Sequence, residues 1–132
     1  MEVDHVGIAV RNLAESLPRW EHTLGSAASP PEEVASQKVR VAFLEAGETH
    51  LEFLEPTEEG SGVARFLASR GEGMHHLAFR VASVDQKLAE LIALGSRVID
   101  QASRPGARGR RVGFAHPSAF GGVLVEFVER GR

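Results

Sequence analysis

The sequence contains no cysteine, which excludes disulfide bonds and thiolate metal sites. Any metal site must therefore use histidine and carboxylate ligands. The chain also lacks an excess of basic charge: its formal net charge is −3, and its Lys and Arg residues are scattered, so a nucleic-acid partner is not expected. No apolar run approaches the roughly 20 residues of a membrane span, and the opening MEVDHVGIAV has a strand pattern without the charged and apolar regions of a secretory signal. We therefore expect a cytoplasmic protein with no membrane partner.

The length and composition are those of an ordinary globular protein. The chain has 132 residues, of which 42% are hydrophobic and 25% charged. A chain of this size fits one domain and can bury a substantial core. We therefore expect a single domain over residues 1–132.

The sequence contains an internal repeat. The segment DHVGIAVRNLAESL (residues 4–17) aligns with HHLAFRVASVDQKL (residues 75–88) at an offset of 71 residues, which places His5 on His76. Farther along, VRVAFLEAGETHLEFLEP aligns with RRVGFAHPSAFGGVLVEFVER. There the offset increases from 71 to 74 residues and places Glu52 on Glu126. The chain is thus two copies of one unit.

Each copy predicts the element order βαβββ. The first module covers about residues 1–60 and the second about 72–132, and a short helix is expected in the connector at about 61–71. Asn12 and Ser83 are the expected N-caps of the two module helices. Alternating β-branched segments separated by turn residues supply the strands. The fold class is therefore α+β, with two tandem modules.

The repeat decides which histidine of the pair in GMHHLAFRV is the functional candidate. Neighbouring side chains on a strand point to opposite faces, so His75 and His76 cannot serve one site. The repeat equates His76 with His5. His5 shares a face with Gly7, and His76 shares one with Ala78, so both histidines have space beside them. His76 is therefore the candidate.

A glutamate on the last strand of each module completes two His/Glu pairs. A single glutamate on an antiparallel strand is expected to face water. The repetition favours a different arrangement, in which each module contributes one histidine and one glutamate as a half-site. Approximate two-fold symmetry could bring the two half-sites together. Two imidazoles and two carboxylates suit a borderline divalent ion and leave coordination positions open for a chelating substrate. The four candidates are His5, Glu52, His76 and Glu126.

Five segments occur in an order that resembles a known family: DHVGIAVRNL, VRVAFLEAGETHLEFLEP, GEGMHHLAFRV, RPGARGRRVGFAHP and GGVLVEFVE. They resemble the vicinal oxygen chelate (glyoxalase/bleomycin resistance/dioxygenase) superfamily, and within it the methylmalonyl-CoA epimerases. The resemblance implies a cupped mixed sheet around one divalent metal ion, with cobalt, zinc, nickel or manganese as candidates. It also implies that His5, Glu52, His76 and Glu126 are the metal ligands. A homodimer is a further expectation from the family.

The implied activity is that of an isomerase. The enzyme would interconvert (R)- and (S)-methylmalonyl-CoA by moving the C2 proton through an enolate that the metal stabilises. Glu126 is the expected catalytic acid–base. The second proton-transfer group is left open: some epimerases have a glutamate at the position of Val41, which cannot transfer a proton. Glu45, Glu48, Gln37 or a water molecule could replace it.

A loop rich in arginine, RPGARGRR, provides candidates for substrate binding. Arg104, Arg108 and Arg110 could contact the coenzyme A phosphates or the substrate carboxylate. The alternative is a solvated basic loop without a ligand.

Two alternative functions belong to the same fold. The first is a glyoxalase I-type lactoylglutathione lyase, against which the segment GGVLVEFVE argues, because it lacks the Asp-Pro-Asp-Gly turn common in glyoxalases. The second is a non-catalytic small-molecule-binding protein, against which the retention of all four candidate ligands argues.

Overall fold

The structure, a computed structural model, describes residues 1–130. These residues form three α-helices and eight strands with both parallel and antiparallel neighbours, as the α+β prediction requires. The chain divides into two compact units. The N-terminal unit is His5–His75, and the C-terminal unit combines Met1–Asp4 with residues 76–130.

The N-terminal unit contains the first βαβββ module, apart from the start of its first strand, and the connector helix. Its strand order is β2-β3-β4-β1, in which β1 and β4 are parallel and the other neighbours antiparallel. The connector helix lies where the sequence predicted one. The elements are β1 (Glu2–Ala9), α1 (Leu13–Leu24), β2 (Glu32–Val34), β3 (Val39–Ala46), β4 (Thr49–Pro56) and α2 (Gly62–Arg70).

Helix α1 covers one face of this strand group. Asn12 caps it as predicted, because its side chain accepts the backbone N–H of Glu15 at 3.0 Å. Leu13 and Leu17 are buried in a cluster with side chains of β1, β3 and β4. The helix contains Pro18, a residue that disfavours a helix interior because it lacks the backbone N–H, yet it continues to Leu24.

The C-terminal unit repeats the arrangement. Its strand order is β5-β8-β7-β6, with β5 and β8 parallel and the other neighbours antiparallel. Ser83 caps α3 by accepting the backbone N–H of Gln86 at 3.1 Å, again as predicted. Buried Val84 and Leu88 pack in a cluster with β7 and β8. The elements are β5 (Gly73–Val81), α3 (Val84–Ala93), β6 (Arg104–Pro105), β7 (Arg111–Ala115) and β8 (Val125–Glu129).

The element order within each half is therefore βαβββ, as the repeat predicted. The division into one domain with two modules and a linker stays a prediction. Among the helices of residues 1–130, none is both long enough and apolar enough to cross a membrane.

Candidate metal centre

The first His/Glu pair lies in the N-terminal unit. His5 on β1 and Glu52 on β4 belong to neighbouring parallel strands, and Glu52 lies opposite Gly7, two residues beyond His5 on the same face. Gly7 has no side chain to separate the pair. The His5 Nε2 and Glu52 Oε1 atoms are 3.3 Å apart, and the two side chains are only 6% and 7% exposed.

The second pair lies in the C-terminal unit and has the same construction. His76 is on β5 and Glu126 on β8, again neighbouring parallel strands, and Glu126 lies opposite Ala78. The His76 Nε2 and Glu126 Oε1 atoms are 3.1 Å apart. The side chains are 1% and 4% exposed. Gly7 and Ala78, the small residues that the sequence places beside the two histidines, therefore lie directly opposite the two glutamates.

A phenylalanine ring flanks each histidine. Phe43 meets the His5 ring edge-on, with 6.4 Å between the centroids, and Phe114 meets the His76 ring edge-on at 5.6 Å. The two phenylalanines are separated by the same 71 residues as the two histidines. Each lies directly across an antiparallel strand pair from the glutamate of its half-site. Edge-on aromatic contacts favour one ring orientation, so each imidazole is held in place by its neighbours.

The four side chains fit a divalent metal ion. One ligand atom from each of the four lies within 4.8 Å of the others, and all four residues are buried. Two buried carboxylates carry a charge of −2, which a dication would neutralise, and imidazole with carboxylate is a donor set that borderline ions accept. The residues are His5, Glu52, His76 and Glu126. His75, by contrast, packs against the Phe66 ring at 5.0 Å between centroids.

Arg104 lies on the same face of its sheet as the second half-site. It is opposite Val112, and Val112 shares a face of β7 with Phe114. The Arg104 guanidinium carbon is 5.6 Å from the Phe114 ring centroid, and its Nε is 3.2 Å from Asp100 Oδ1. The side chain is 30% exposed. Arg104, a candidate from the sequence, therefore lies beside the second His/Glu pair.

Arg110 and Arg108 are placed differently. The Arg110 guanidinium donates to Asp4 Oδ1 at 2.7 Å, and its Nε donates to the Glu129 carbonyl at 2.7 Å. Arg80 Nε donates to the same Asp4 carboxylate at 2.9 Å. Arg108 is exposed and has a positive φ of 59° in the turn before Arg110. Arg110 is thus held in an ion-pair network that the sequence did not reveal.

The structure shows the surroundings of the three side chains that the sequence left open as the second proton-transfer group. Glu45 is 61% exposed, and its Oε2 lies 2.7 Å from His50 Nδ1. Glu48 is exposed in the β3–β4 turn. Gln37 is the last residue of a 3-10 turn. Glu32, on the three-residue strand β2, was not among the sequence candidates, because so short a strand shows no clear alternation.

Comparison with known proteins gives one family match. The family model of the Glyoxalase/Bleomycin resistance protein/Dioxygenase superfamily matches residues 4–114.

Similar proteins align over nearly the whole chain. The uncharacterized protein YqjC of Bacillus subtilis is 39% identical over 127 residues, which cover 96% of this chain and 91% of that protein. An ethylmalonyl-CoA/methylmalonyl-CoA epimerase of Cereibacter sphaeroides is 34% identical over 129 residues, with 96% of each chain covered. A structure of a Streptomyces coelicolor methylmalonyl-CoA epimerase variant in complex with 2-nitronate-propionyl-CoA has a TM-score of 0.94 and 37% identity. It covers 99% of this chain and 95% of the other.

Proposed function

Because this chain belongs to the glyoxalase/bleomycin resistance protein/dioxygenase superfamily, we propose that it is a metal-dependent epimerase acting on methylmalonyl-CoA. The observation that carries the proposal is the buried group of two histidines and two glutamates in a chain similar to such epimerases over nearly its full length. The reaction would interconvert the (R) and (S) forms by proton transfer at C2.

His5, Glu52, His76 and Glu126 are the proposed metal ligands, and cobalt, zinc, nickel and manganese are the candidate ions. A bound dication would supply positive charge for the negative charge that develops on the thioester oxygen when C2 loses its proton. The protein contributes rigid placement: each imidazole is held between a glutamate and a phenylalanine edge.

Glu126 is the proposed acid–base for one face of C2. Its carboxylate lies on a buried strand, and the neighbouring imidazole of His76 is 3.1 Å away. A carboxylate in this position can hold the abstracted proton where bulk water is excluded. Proton transfer by a positioned side chain contributes typically about 10²- to 10⁴-fold to rate.

Arg104 is the proposed anchor for an anionic group of the acyl-CoA substrate. Its contacts with Asp100 and Phe114 orient the guanidinium before substrate arrives, which reduces the entropy lost on binding. Arg110 is a weaker candidate, because Asp4 and the Glu129 carbonyl already bind its guanidinium. Arg108 remains a candidate contact for the coenzyme A phosphates.

The homodimer and the cytoplasmic location stay predictions. The glyoxalase and binding-protein alternatives are not favoured, because the compared relatives with a stated activity are epimerases.

The test starts from one pure epimer of methylmalonyl-CoA. Protein stripped of metal and then loaded with cobalt, zinc, nickel or manganese is added, and the other epimer is followed by chiral analysis. We expect epimerisation with at least one ion and none with the stripped protein. Absence of epimerisation with every ion, together with turnover of the hemithioacetal of methylglyoxal and glutathione, would replace the proposal with glyoxalase chemistry.

A further inference from the structure

Inversion at C2 needs two groups, one that removes the proton and one that returns a proton to the opposite face. Glu126 can serve only one of these faces. The inference of a second group rests on the proposed function. The strand register of the N-terminal unit reduces the number of candidate residues.

The candidates are the carboxylates that share a face with the first half-site. Phe43 on β3 lies opposite Glu52, so Val41, two residues earlier on β3, points to that same face. Glu32 on β2 lies directly opposite Val41. Glu32 is therefore on the face of the sheet that carries His5 and Glu52, and it is partly buried.

Neighbouring carboxylates do not fit as well. Glu33 is exposed and alternates to the other face of β2. Glu55 also lies on the other face, where its Oε2 accepts the backbone N–H of Leu13 at 2.8 Å. Glu45 shares the correct face but is 61% exposed and lies 2.7 Å from His50. Glu32 is the partly buried carboxylate that remains.

The spacing leaves room for a substrate. Glu32 is two strands away from Glu52 and one same-face step farther along the sheet. Strand spacings of about 4.8 Å and a same-face step of about 6.8 Å put the two α-carbons roughly 12 Å apart. This separation leaves room for a small acyl group between Glu32 and the first His/Glu pair.

The repeat also sets Glu32 apart. Glu32 lies opposite Val41 and Arg104 lies opposite Val112, and these two valines are equivalent positions of the repeat. One register position thus carries a carboxylate in the first module and a guanidinium in the second. The metal-ligand positions are repeated without change, so symmetric packing does not account for this difference. The difference is explained by a reaction in which the second module binds an anionic group of the substrate and the first module accepts a proton.

We propose that Glu32 is the second proton-transfer group. For one epimer the C2–H bond breaks, its electron pair enters the enolate, and the proton passes to the Glu32 carboxylate. Protonated Glu126 then donates its proton to the opposite face and forms the new C2–H bond. The other epimer follows the reverse course, with Glu126 as the base and Glu32 as the acid.

The test is epimer-resolved hydrogen exchange in D2O with metal-loaded Glu32→Gln protein. Epimerisation is expected to fall about 100-fold or more. The epimer whose C2 proton faces Glu126 should still gain deuterium, without inversion, because Glu126 can remove and return a proton on one face. The other epimer should lose its exchange. Metal content and thermal midpoint should equal those of the unaltered protein.

Two variants serve as controls. Glu33→Gln should epimerise at the original rate, and Glu45→Gln should keep exchange for both epimers. The assignment is overturned if Glu32→Gln epimerises normally, if it slows the exchange of both epimers equally, or if Glu45→Gln gives the one-sided exchange instead. Absence of exchange in the unaltered metal-loaded protein would refute the proposed function itself, which is a different result.

Discussion

At the scale of single residues, the two His/Glu pairs are near copies of each other. The nitrogen–oxygen distances are 3.3 Å for His5 and Glu52 and 3.1 Å for His76 and Glu126. Both pairs are buried, and both imidazoles meet a phenylalanine edge. Because their surroundings are equal, the two pairs should contribute similarly to the affinity of the proposed metal site.

We therefore predict that His5→Ala and His76→Ala weaken metal binding to a similar extent. Loss of a direct ligand should exceed the roughly 10- to 100-fold effect of losing an outer partner. Competition with a chromogenic chelator measures the affinity. His22→Ala, on the exposed side of α1, is the matched control and should bind metal normally. A large effect from only one of the two histidines would contradict equivalent half-sites.

The sequence predicted these pairs because a repeat leaves a periodic trace that alignment recovers. It did not predict the contacts of Arg110 with Asp4, which lie 106 residues apart. No local pattern encodes such a pairing, so a loop rich in arginine looked uniformly available. Glu32 was missed for a related reason, since its position depends on the register of a very short strand.

At the scale of elements, a glutamate at the end of each module anchors the N-terminus of that module's helix. Glu55 Oε2 accepts the Leu13 N–H at 2.8 Å, and Glu129 Oε2 accepts the Val84 N–H at 3.0 Å. The first turn of a helix has N–H groups without internal partners, and a carboxylate there also interacts favourably with the helix dipole. The repeat thus preserves the helix attachment as well as the ligands.

Removing this anchor should destabilise the protein. We predict that Glu129→Ala lowers the free energy of unfolding by about 1 kcal/mol, the typical cost of losing a cap. Urea unfolding measures the change. Glu90→Ala removes only an exposed pair with Lys87 and should cost less than about 0.5 kcal/mol. Equal losses of unfolding free energy in the two variants would show that the Glu129 anchor stabilises the protein no more than an exposed ion pair does.

The packing of α3 on β7 depends on a glycine. A Cβ at Gly113 would lie 2.8 Å from Leu88 Cδ1 and 2.9 Å from Val84 Cγ1, and both side chains are fully buried. We predict that Gly113→Ala lowers the free energy of unfolding by about 1–3 kcal/mol through overpacking. Leu88→Val in the same chain should recover part of this loss.

Gly73 provides the control for that prediction, because a Cβ there would meet no atom within 4 Å. Gly73→Ala should change the free energy of unfolding by less than about 0.5 kcal/mol. If Gly113→Ala changes the free energy of unfolding as little as Gly73→Ala does, α3 does not pack closely on β7 at Gly113.

At the scale of the whole molecule, buried Asp4 connects distant parts of the sequence. Its carboxylate is 2% exposed and accepts hydrogen bonds from Arg80 and Arg110. We predict that Arg110→Met lowers the free energy of unfolding by about 3–5 kcal/mol, because it leaves a buried charge without one of its partners. Thermal and urea unfolding measure the loss.

Arg40→Met is the comparison for Arg110→Met. Arg40 is 49% exposed and lies 3.5 Å from Glu55, so its removal should cost less than about 1 kcal/mol. If Arg110→Met leaves stability unchanged and instead raises the KM for methylmalonyl-CoA, Arg110 binds substrate as the sequence suggested.

We propose that two repeated half-sites form one metal-dependent centre for proton transfer at C2. Proton NMR of methylmalonyl-CoA in D2O tests it most directly, with metal-loaded protein and a chelator-stripped control. We expect loss of the C2 proton signal, together with interconversion of the epimers, only in the metal-loaded sample. A C2 signal that persists while metal is bound, or one that disappears equally fast without metal, would contradict it.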